Sequence, residues 1–352
     1  MKYHFYYFSA TGNTEKAVGI IKDELISKGH DIQVVRLNRD TKPLPGEPDR
    51  LLIAFPTLSW VPPVLVQRFV RKLPRGLRSD GTRIKAAVFT ADGGGCLQAP
   101  DQLKRMLIRK KYDVFLTGRG SYPDNWLQFV PGPGEEMKSQ QIARGEHMTR
   151  EFTEQLLKET PFLYKVAGIH QVWSRLVGIL FAFLGRRFMG KMFIADSHCT
   201  SCRLCQKSCP VGAIAMAKGK KAKPFWKITC ESCNRCINIC PEKAIVSSNV
   251  RILVLTAGIT ASIIGGLGLY NHWLKPWIAQ NITNPYYWFV NTLLVTGVVI
   301  LAHWFVIGPV DAFILRFLQK IPGLRGIFEK GFNKNFLRYT MTGYKAPHEK
   351  LS

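Results

Sequence analysis

The stretch KYHFYYFSATGNTEKA (residues 2–17) is the strongest indication of the fold of the N-terminal part of the chain. Its opening residues are almost continuously apolar or aromatic, which is typical of a strand buried on both faces, and helical periodicity follows a short Ser/Thr/Gly loop. Such a loop presents backbone N–H groups, hydroxyls and the positive end of a helix to one phosphate. The candidate phosphate-binding residues are Ser9, Thr11, Gly12, Asn13 and Thr14.

This loop differs from two common phosphate-binding motifs. It lacks the lysine of G-x-x-x-x-G-K-[ST], and it does not match the dinucleotide fingerprint. The sequence therefore indicates neither a nucleoside-triphosphate loop nor a nicotinamide site.

Strand-like and helix-like segments alternate from residue 1 to about residue 159. Continuously apolar strands separated by helices indicate a parallel sheet that is covered on both faces. The predicted strands are 2–8, 31–37, 50–55, 84–90 and 112–118, and the predicted helices are 14–28, 63–73, 97–111 and 136–159. The sequence therefore predicts a doubly wound α/β domain with five parallel strands over residues 1–159.

Two more loops follow the third and fourth predicted strands, PTLSWVPP (56–63) and TADGGG (90–95). The carboxyl ends of parallel strands meet at one edge of the sheet, where open α/β sheets bind their ligands. The candidate ligand-flanking residues are Pro56, Thr57, Leu58, Ser59 and Trp60 in one loop and Thr90, Asp92, Gly93, Gly94 and Gly95 in the other. Trp60 has a second interpretation, as a buried hydrophobic residue.

The three loops in this order resemble those of flavodoxins, and the resemblance covers about residues 1–155. It implies a flavodoxin-like sheet and bound FMN, with the phosphate on the first loop and the isoalloxazine ring between the other two. Two features depart from the family. The second ring-side loop has no aromatic residue, so Tyr122 or Trp126 is the expected substitute. Flavodoxins are also usually acidic, whereas this domain is net basic.

Eight of the nine cysteines fall in two copies of one motif, CTSCRLCQKSCP (199–210) and CESCNRCINICP (230–241). Both fit C-x2-C-x2-C-x3-C-P, in which three thiolates bind one [4Fe-4S] cluster and the fourth binds the other cluster. That rule assigns Cys199, Cys202, Cys205 and Cys240 to one cluster and Cys230, Cys233, Cys236 and Cys209 to the second. Residues 196–248 resemble a bacterial two-cluster ferredoxin of small α+β fold. Paired zinc knuckles, the alternative, do not require the proline that ends both copies.

Composition limits the compartment and the partners. Cysteines with metal-ligand spacing favour a reducing compartment. The formal charge of +25 suits a membrane surface or an acidic protein, and no nucleic-acid module accompanies it, so no nucleic-acid partner is predicted. The lysine-rich insert 217–227 is either a solvated hairpin or a docking element. The ninth cysteine, Cys96, is expected to be a small buried residue.

Two apolar stretches without charged residues, 252–270 and 286–308, follow the cysteine motifs. Each is long enough to span a bilayer, so residues 249–308 are predicted to form a transmembrane hairpin. The flanking segments are rich in Lys and Arg, which predicts that both termini and the redox domains face the cytoplasm at the cytoplasmic (inner) membrane. Aromatic residues gather at the proposed outer interface: Tyr270, Trp273, Trp277, Tyr286, Tyr287 and Trp288.

Three further segments border this hairpin. Residues 160–195 contain a nine-residue apolar run (176–184) that is too short to span a bilayer, which predicts an amphipathic connector in the membrane interface or packed on a domain. Residues 309–352 are predicted to form a basic amphipathic tail on the cytoplasmic membrane surface. VSSNV (246–250) is predicted to be a short flexible linker that keeps the clusters near the membrane.

Two histidines, His272 and His303, lie in the membrane region. Residues 286 to 303 of a helix rise about 26 Å, which puts the two histidines on opposite sides of the bilayer and excludes a haem held by the pair. His303 therefore belongs either to an interfacial aromatic belt or to the border of a quinone or lipid pocket.

Together the segments resemble flavodoxin–ferredoxin fusion proteins with an added membrane hairpin. We expect a membrane-tethered protein that relays electrons between FMN and two [4Fe-4S] clusters, to or from a redox protein that is acidic or membrane-bound. A reduced ferredoxin or similar carrier is the expected donor. Two alternatives stay open: a flavin- and cluster-dependent reductase of a quinone or lipid-phase substrate, and a scaffold whose flavodoxin fold has lost FMN. No catalytic residues are predicted.

Overall fold

The computed structural model describes residues 1–166, 168–219, 222–281 and 286–348. Its main sheet consists of six parallel strands: β1 Lys2–Tyr7, β2 Asp31–Arg36, β3 Arg50–Pro56, β4 Lys85–Asp92, β5 Asp113–Ser121 and β6 Phe162–Leu163. Their order is β2-β1-β3-β4-β5-β6. The five predicted strands are confirmed, and β6 adds a two-residue strand at the edge of the sheet.

The strand order creates a switch point beside β1. β2 lies on one side of β1 and β3 on the other, so the chain winds in opposite directions from this strand. This is the flavodoxin-like order, in which a crevice opens at the carboxyl ends of the central strands. The loops after β1, β3 and β4 all end at this crevice.

Four helices cover the two faces of the sheet: α1 Asn13–Ser27, α2 Val64–Lys72, α3 Ala99–Arg109 and α4 Glu135–Leu157. On one face, Ile21 of α1 and Phe152 of α4 belong to one apolar core. On the other face, Phe69 of α2 and Leu103 of α3 belong to a second core. Burial on both faces explains why the strands are continuously apolar rather than alternating.

The segment after β6 forms one long helix, α5 Gly168–Met192, with a π-type turn at Phe181–Gly185. The sequence prediction considered only its nine-residue apolar run, whereas the helix has 25 residues and is long and apolar enough to cross a membrane. However, the middle of α5 packs on the α/β domain. The amide Nε2 of Gln98 donates to the carbonyl of Ser174 (2.7 Å), and a Cβ on Gly178 would lie 2.3 Å from Val61 Cγ1.

The cysteine segment folds as a small α+β domain. Strand β7 Phe193–Ala195 pairs antiparallel with β10 Ile245–Ser247, and β8 Ile214–Met216 pairs antiparallel with β9 Pro224–Trp226. Two short helices, α6 Leu204–Lys207 and α7 Arg235–Ile239, carry the third cysteine of each motif. The insert between the motifs contains residues 220–221, which lie outside the described residues, so its docking role stays a prediction.

Two 33-residue helices follow, α8 Asn249–Asn281 and α9 Tyr286–Leu318, and both are long and apolar enough to cross a membrane. Both extend beyond the predicted stretches. The predicted flexible linker is wrong, because β10 includes Val246 and Ser247, and the hydroxyl of Ser248 caps α8 by accepting from Arg251 N (3.2 Å). The loop that was predicted to face out includes residues 282–285, which lie outside the described residues.

The C-terminal segment departs most from its prediction. Its first ten residues, 309–318, belong to α9, and a short helix α10 Pro322–Phe328 follows. Residues 333–344, which we call the C-terminal strap, then run back across the cysteine domain to the α/β domain. The strap is therefore not a free membrane-surface tail over its described length, whereas residues 349–352 lie outside the described residues.

Candidate functional site

Four cysteines surround one small enclosed cavity in the cysteine domain. Cys199 and Cys202 precede α6, Cys205 lies on α6, and Cys240 follows α7 at the end of the other motif. The structure therefore brings together three cysteines of the first motif and the last cysteine of the second. Of these four side chains, Cys202 is exposed.

The other four motif cysteines surround a second cavity. Cys230, Cys233 and Cys236 come from the second motif and Cys209 from the first, and Cys205 lines this cavity as well. Cys230 and Cys236 are buried. The second cavity therefore lies deeper in the protein than the first, and the single residue Cys205 borders both.

The two motifs follow the same backbone path around their cavities. Ser201 and Arg203 in the first motif have positive φ angles of 61° each, and their equivalents Ser232 and Asn234 have φ angles of 54° and 57°. Left-handed residues on both sides of the second cysteine let the chain curve tightly around a bound group. This local conformation is not visible in the cysteine spacing alone.

Backbone N–H groups point at several of the sulfurs. Ala213 N lies 3.2 Å from Cys209 Sγ, and Ala244 N lies 3.4 Å from Cys240 Sγ, at the equivalent place in the other repeat. Ser232 N lies 3.4 Å from Cys230 Sγ. Hydrogen bonds to ligand sulfurs stabilise negative charge there and tune the reduction potential of an iron–sulfur cluster.

The donors around both cavities are cysteine thiols. Burial raises the pKa of the Cys205 thiol to about 12 and that of Cys233 to about 11, so these thiols need metal charge to become thiolates. Among the described residues, no three His, Cys, Asp or Glu side chains converge as a single metal ion requires. The C-x2-C-x2-C-x3-C-P spacing of the motifs is typical of ligands to [4Fe-4S] clusters.

The second cavity lies directly against the α/β domain. Cys233 packs against the core cluster that contains Phe8 and Ala10 at the carboxyl end of β1. Arg235 is 2% exposed, and its guanidinium donates to the carbonyls of Ser9 (2.5 Å), Ala10 (3.0 Å) and Ser208 (2.6 Å). One buried side chain thus joins the phosphate-loop candidate to both cysteine motifs.

The candidate phosphate loop is a tight turn before α1. Gly12 has a φ angle of 109°, and its N–H donates to the hydroxyl of Ser9 (3.1 Å). The hydroxyl of Thr11 accepts from Asn125 Nδ2 (2.8 Å). The amide of Asn13 donates to the carbonyl of Pro123 (2.8 Å) and accepts from the hydroxyl of Tyr339 (2.6 Å). The Asn13 side chain therefore has two protein partners, and its predicted phosphate contact stays a prediction.

A cavity of about 40 Å³ lies between this loop and the two following loops. Of the predicted residues, it is lined by Ser9, Thr11, Asn13, Thr14, Pro56, Thr57, Asp92 and Gly93. Leu58, Ser59 and Trp60 do not line it, because a bridge between Leu58 and Val61 closes a tight turn there. Gly12, Thr90, Gly94 and Gly95 do not line it either.

The polar groups of this cavity fit a phosphate. The hydroxyl oxygens of Thr14 and Thr57 are buried and have no hydrogen-bond partner in the part of the chain that the structure describes. A Cβ on Gly93 would lie 3.0 Å from Asp124 Cβ, so the loops after β4 and β5 approach each other closely beside this cavity.

Neither expected aromatic substitute reaches this cavity. Tyr122 is 1% exposed within the core, and its hydroxyl bonds to Thr149 Oγ1 (2.8 Å). Trp126 packs on the ring of Phe129, with ring centroids 5.0 Å apart. The prediction for Tyr122 is wrong because the helix that follows, α4, buries its ring.

The C-terminal strap covers the outside of the phosphate loop. Met341 N donates to the carbonyl of Thr11 (2.8 Å), and the hydroxyl of Tyr344 donates to the carbonyl of Ala10 (2.9 Å). The strap also contacts the cysteine domain, where Tyr339 N donates to Asn238 Oδ1 (2.9 Å). Sequence reasoning missed these residues because nothing in a basic, aromatic segment specifies a partner some 330 residues away.

A buried ion group ties the long helices to the cysteine domain. Asp311 of α9 is 1% exposed, accepts from Lys191 Nζ of α5 (2.6 Å) and pairs with Arg251 of α8. Lys191 Nζ also donates to the carbonyl of Trp226, which lines the second cavity (3.2 Å). The lone acidic residue of an apolar helix was the available signal for this group.

The remaining candidates are structural. Cys96 is fully buried, as expected, and burial raises the pKa of its thiol to about 12. His303 is buried beside Phe188 of α5, with ring centroids 6.3 Å apart. His272 packs on the ring of Trp273.

Comparison with known proteins supports the cysteine domain most directly. The sequence family of 4Fe-4S dicluster domains matches residues 198–246. A search of curated proteins gave no match. The chain therefore joins an α/β domain with a flavodoxin-like strand order to a segment that matches 4Fe-4S dicluster domains.

Similar solved structures include flavodoxins. One is a flavodoxin from the domain Archaea, with 19% identity, 43% of this chain and 99% of that chain covered, and a TM-score of 0.29. Another is the two-electron reduced flavodoxin of Megasphaera elsdenii, with 21% identity, coverage of 42% and 98%, and a TM-score of 0.28. A putative quinone reductase from Klebsiella pneumoniae has 12% identity, coverage of 46% and 85%, and a TM-score of 0.30.

Proposed function

We propose that this chain is a membrane-anchored electron-transfer protein with two [4Fe-4S] clusters. Cys199, Cys202, Cys205 and Cys240 bind the first cluster, and Cys209, Cys230, Cys233 and Cys236 bind the second. The observation that carries this proposal is the pair of neighbouring cavities, of which the first is lined by four cysteines and the second by the other four together with Cys205. Clusters that share a bordering side chain are close enough for electrons to pass between them.

The third redox site of the proposal is FMN at the loops after β1, β3 and β4. Its phosphate would contact the unpartnered hydroxyls of Thr14 and Thr57 and the first N–H groups of α1. When bound, a flavin exchanges one or two electrons, whereas each cluster carries one. A flavodoxin fold without FMN is the alternative, and the absence of flavin after reconstitution, with the clusters intact, would favour it.

The redox domains belong on one side of the membrane. β10 leads directly into α8, α9 ends beside the start of α8 at the Asp311 ion group, and the strap returns to the α/β domain. Helix α5 then lies along the membrane surface, since its middle contacts Val61 and Gln98. The excess of Lys and Arg in the described flanks favours the cytoplasmic side of the inner membrane.

The partner that this arrangement suits is an acidic or membrane-bound redox protein. The net charge of +25 attracts such a partner, and the first cluster, with Cys202 exposed, is the more accessible one. A reduced ferredoxin-like carrier remains our proposed donor. Reduction of a quinone by the chain itself would favour the reductase alternative instead.

Anaerobic reconstitution of the full-length chain in detergent tests the proposal. We expect about eight irons and eight sulfides per chain, with two [4Fe-4S] signals in electron paramagnetic resonance after reduction. Cys96→Ala is the matched control, because this cysteine lies outside both cavities and should leave the iron content unchanged. Zinc bound in place of iron would refute the clusters, and FMN binding is measured separately by flavin fluorescence.

A further inference from the structure

A large basic cavity lies on the face of the α/β domain that α5 covers. It has a volume of about 660 Å³, is open to the surface and is lined mainly by residues of α2, α3 and α5. It lies between the α/β domain and α5, and the proposed electron transfer does not involve it. None of the motif cysteines lines it, and only Val61 lies near the candidate flavin loops.

The polar wall of this cavity is positively charged. Its charged lining residues are all cations: Arg71, Arg105, Arg109, Lys110 and Arg175. The carboxylate of Asp101 partly neutralises the wall through Arg105 (2.8 Å) and Arg175 (3.8 Å). Arg71 and Arg109 form no ion pair within the described parts of the chain, so they keep their charge available for an anion.

The opposite wall is apolar and belongs largely to α5. Ile179, Ala182 and Phe183 line the cavity beside Val70 and Met106 of the α/β domain. The wall continues along the outer face of α5 into a set of exposed apolar side chains: Ile169, Val172, Trp173 and Leu176. Exposed apolar residues of this number on one helix face suit the membrane interface.

We propose that this cavity binds the headgroup of an anionic membrane phospholipid. The phosphate lies against Arg71 and Arg109. The part of an acyl chain next to the headgroup follows Ile179, Ala182 and Phe183 out to the lipid-facing side of α5. Basic pockets beside membrane helices are suited to acidic headgroups, and the volume matches that of small-molecule sites. A water-soluble anion would use the cations but not the apolar wall, so an amphiphile fits both walls.

The bound lipid would fix the α/β domain on the membrane. It joins α2 and α3 to α5, and α5 is tied through Lys191 and Asp311 to α9. Anionic lipid would therefore stabilise the docking of the α/β domain against the membrane helices.

Thermal unfolding of the full-length chain in a neutral detergent tests this inference. Phosphatidylglycerol should raise the unfolding temperature in a saturable way, whereas phosphatidylcholine and inorganic phosphate should not. In the double variant Arg71→Gln/Arg109→Gln, the half-saturating phosphatidylglycerol concentration should rise about tenfold or more, because two charge-assisted contacts are lost. Lys28→Gln/Arg144→Gln is the matched control, with the same charge change on exposed residues of the opposite face of the sheet.

An equal response to phosphatidylcholine, or an equal loss in the control variant, would overturn the site. An equal response to inorganic phosphate would overturn the lipid assignment in favour of a free anion. Ala182→Trp fills the apolar wall and keeps all five cations, so it should also abolish the phosphatidylglycerol response. An unchanged response in that variant would overturn the proposed path of the acyl chain.

Discussion

The two cysteine motifs have the same spacing and the same backbone path, yet they lie in different surroundings. The first motif is close to the surface, with Cys202 exposed, whereas Cys230 and Cys236 of the second motif are buried. The second motif packs against the loop after β1 through Arg235, whereas the first motif meets the α/β domain at its last residue, where Arg39 N donates to the carbonyl of Pro210 (3.1 Å). Burial thus gives two equivalent sites different access to solvent and to partners.

Three substitutions between the repeats account for this difference. Where the first motif has Thr200, Leu204 and Lys207, the second has Glu231, Arg235 and Asn238. All three residues of the second motif are buried and bond outside their own domain. Glu231 accepts from Val64 N (2.9 Å), Arg235 donates to Ser9 and Ala10, and Asn238 bonds to Asn125 and the strap. Polar residues that would be costly to bury alone specify where the second motif docks.

The largest expected effect comes from removing one ligand of each cluster. Cys236→Ala should abolish the second cluster and destabilise the domain core, because this sulfur is buried beside Trp226 and Ile237. Cys202→Ala should remove iron from the first cluster and leave the second in place. Iron analysis with electron paramagnetic resonance measures both results. Loss of the same single cluster signal in both variants would contradict the two-cavity assignment.

A smaller effect is expected when the second motif is given the residue of the first. Arg235→Leu leaves the carbonyls of Ser9, Ala10 and Ser208 without this donor, so we expect a loss of about 3 kcal/mol or more in the free energy of unfolding. Denaturant unfolding, monitored by circular dichroism at a wavelength where flavin does not contribute, measures this loss in free energy. Arg203→Gln, at an exposed position of the first motif, is the control and should change stability by less than about 0.5 kcal/mol.

The difference in access should also appear in reactivity. A bulky, water-soluble oxidant such as ferricyanide should attack the first cluster about tenfold faster than the second. The reason is that the Cys202 side chain, in the wall of the first cavity, is exposed to solvent. The decay of the two cluster signals in electron paramagnetic resonance gives both rates. Equal rates would mean that the α/β domain does not shield the second cluster in solution.

The smallest effect is expected in the strap that covers the second motif. Tyr339→Phe removes the hydrogen bond from its hydroxyl to Asn13 Oδ1, and we expect a loss of about 1 kcal/mol in the free energy of unfolding. The ring still fills its buried site, so both clusters should remain. Phe332→Leu, on a half-exposed ring just before the strap, serves as the comparison variant. A larger loss in that variant would show that apolar contacts before the strap contribute more to stability than this hydrogen bond does.

Local sequence patterns predicted the parts of the structure that depend on residues close together in the chain. The apolar strands, the loop that starts α1 and the cysteine spacing each predict a structure from residues a few positions apart, and the strands and the ferredoxin-type domain are confirmed. The ligand sets of the clusters remain predictions, although the structure brings the predicted cysteines together. The lengths of α8 and α9 were underestimated because both helices continue past their uncharged stretches.

The contacts between distant segments depend on the tertiary structure. Arg235 meets Ser9 across more than 200 residues, and Tyr344 meets Ala10 across more than 300. The strap was predicted as a membrane-surface tail because its charge and aromatic residues suit a lipid surface as well as a protein groove. Composition describes which surroundings a side chain tolerates, whereas its actual partner depends on which surfaces the rest of the fold brings within hydrogen-bond distance.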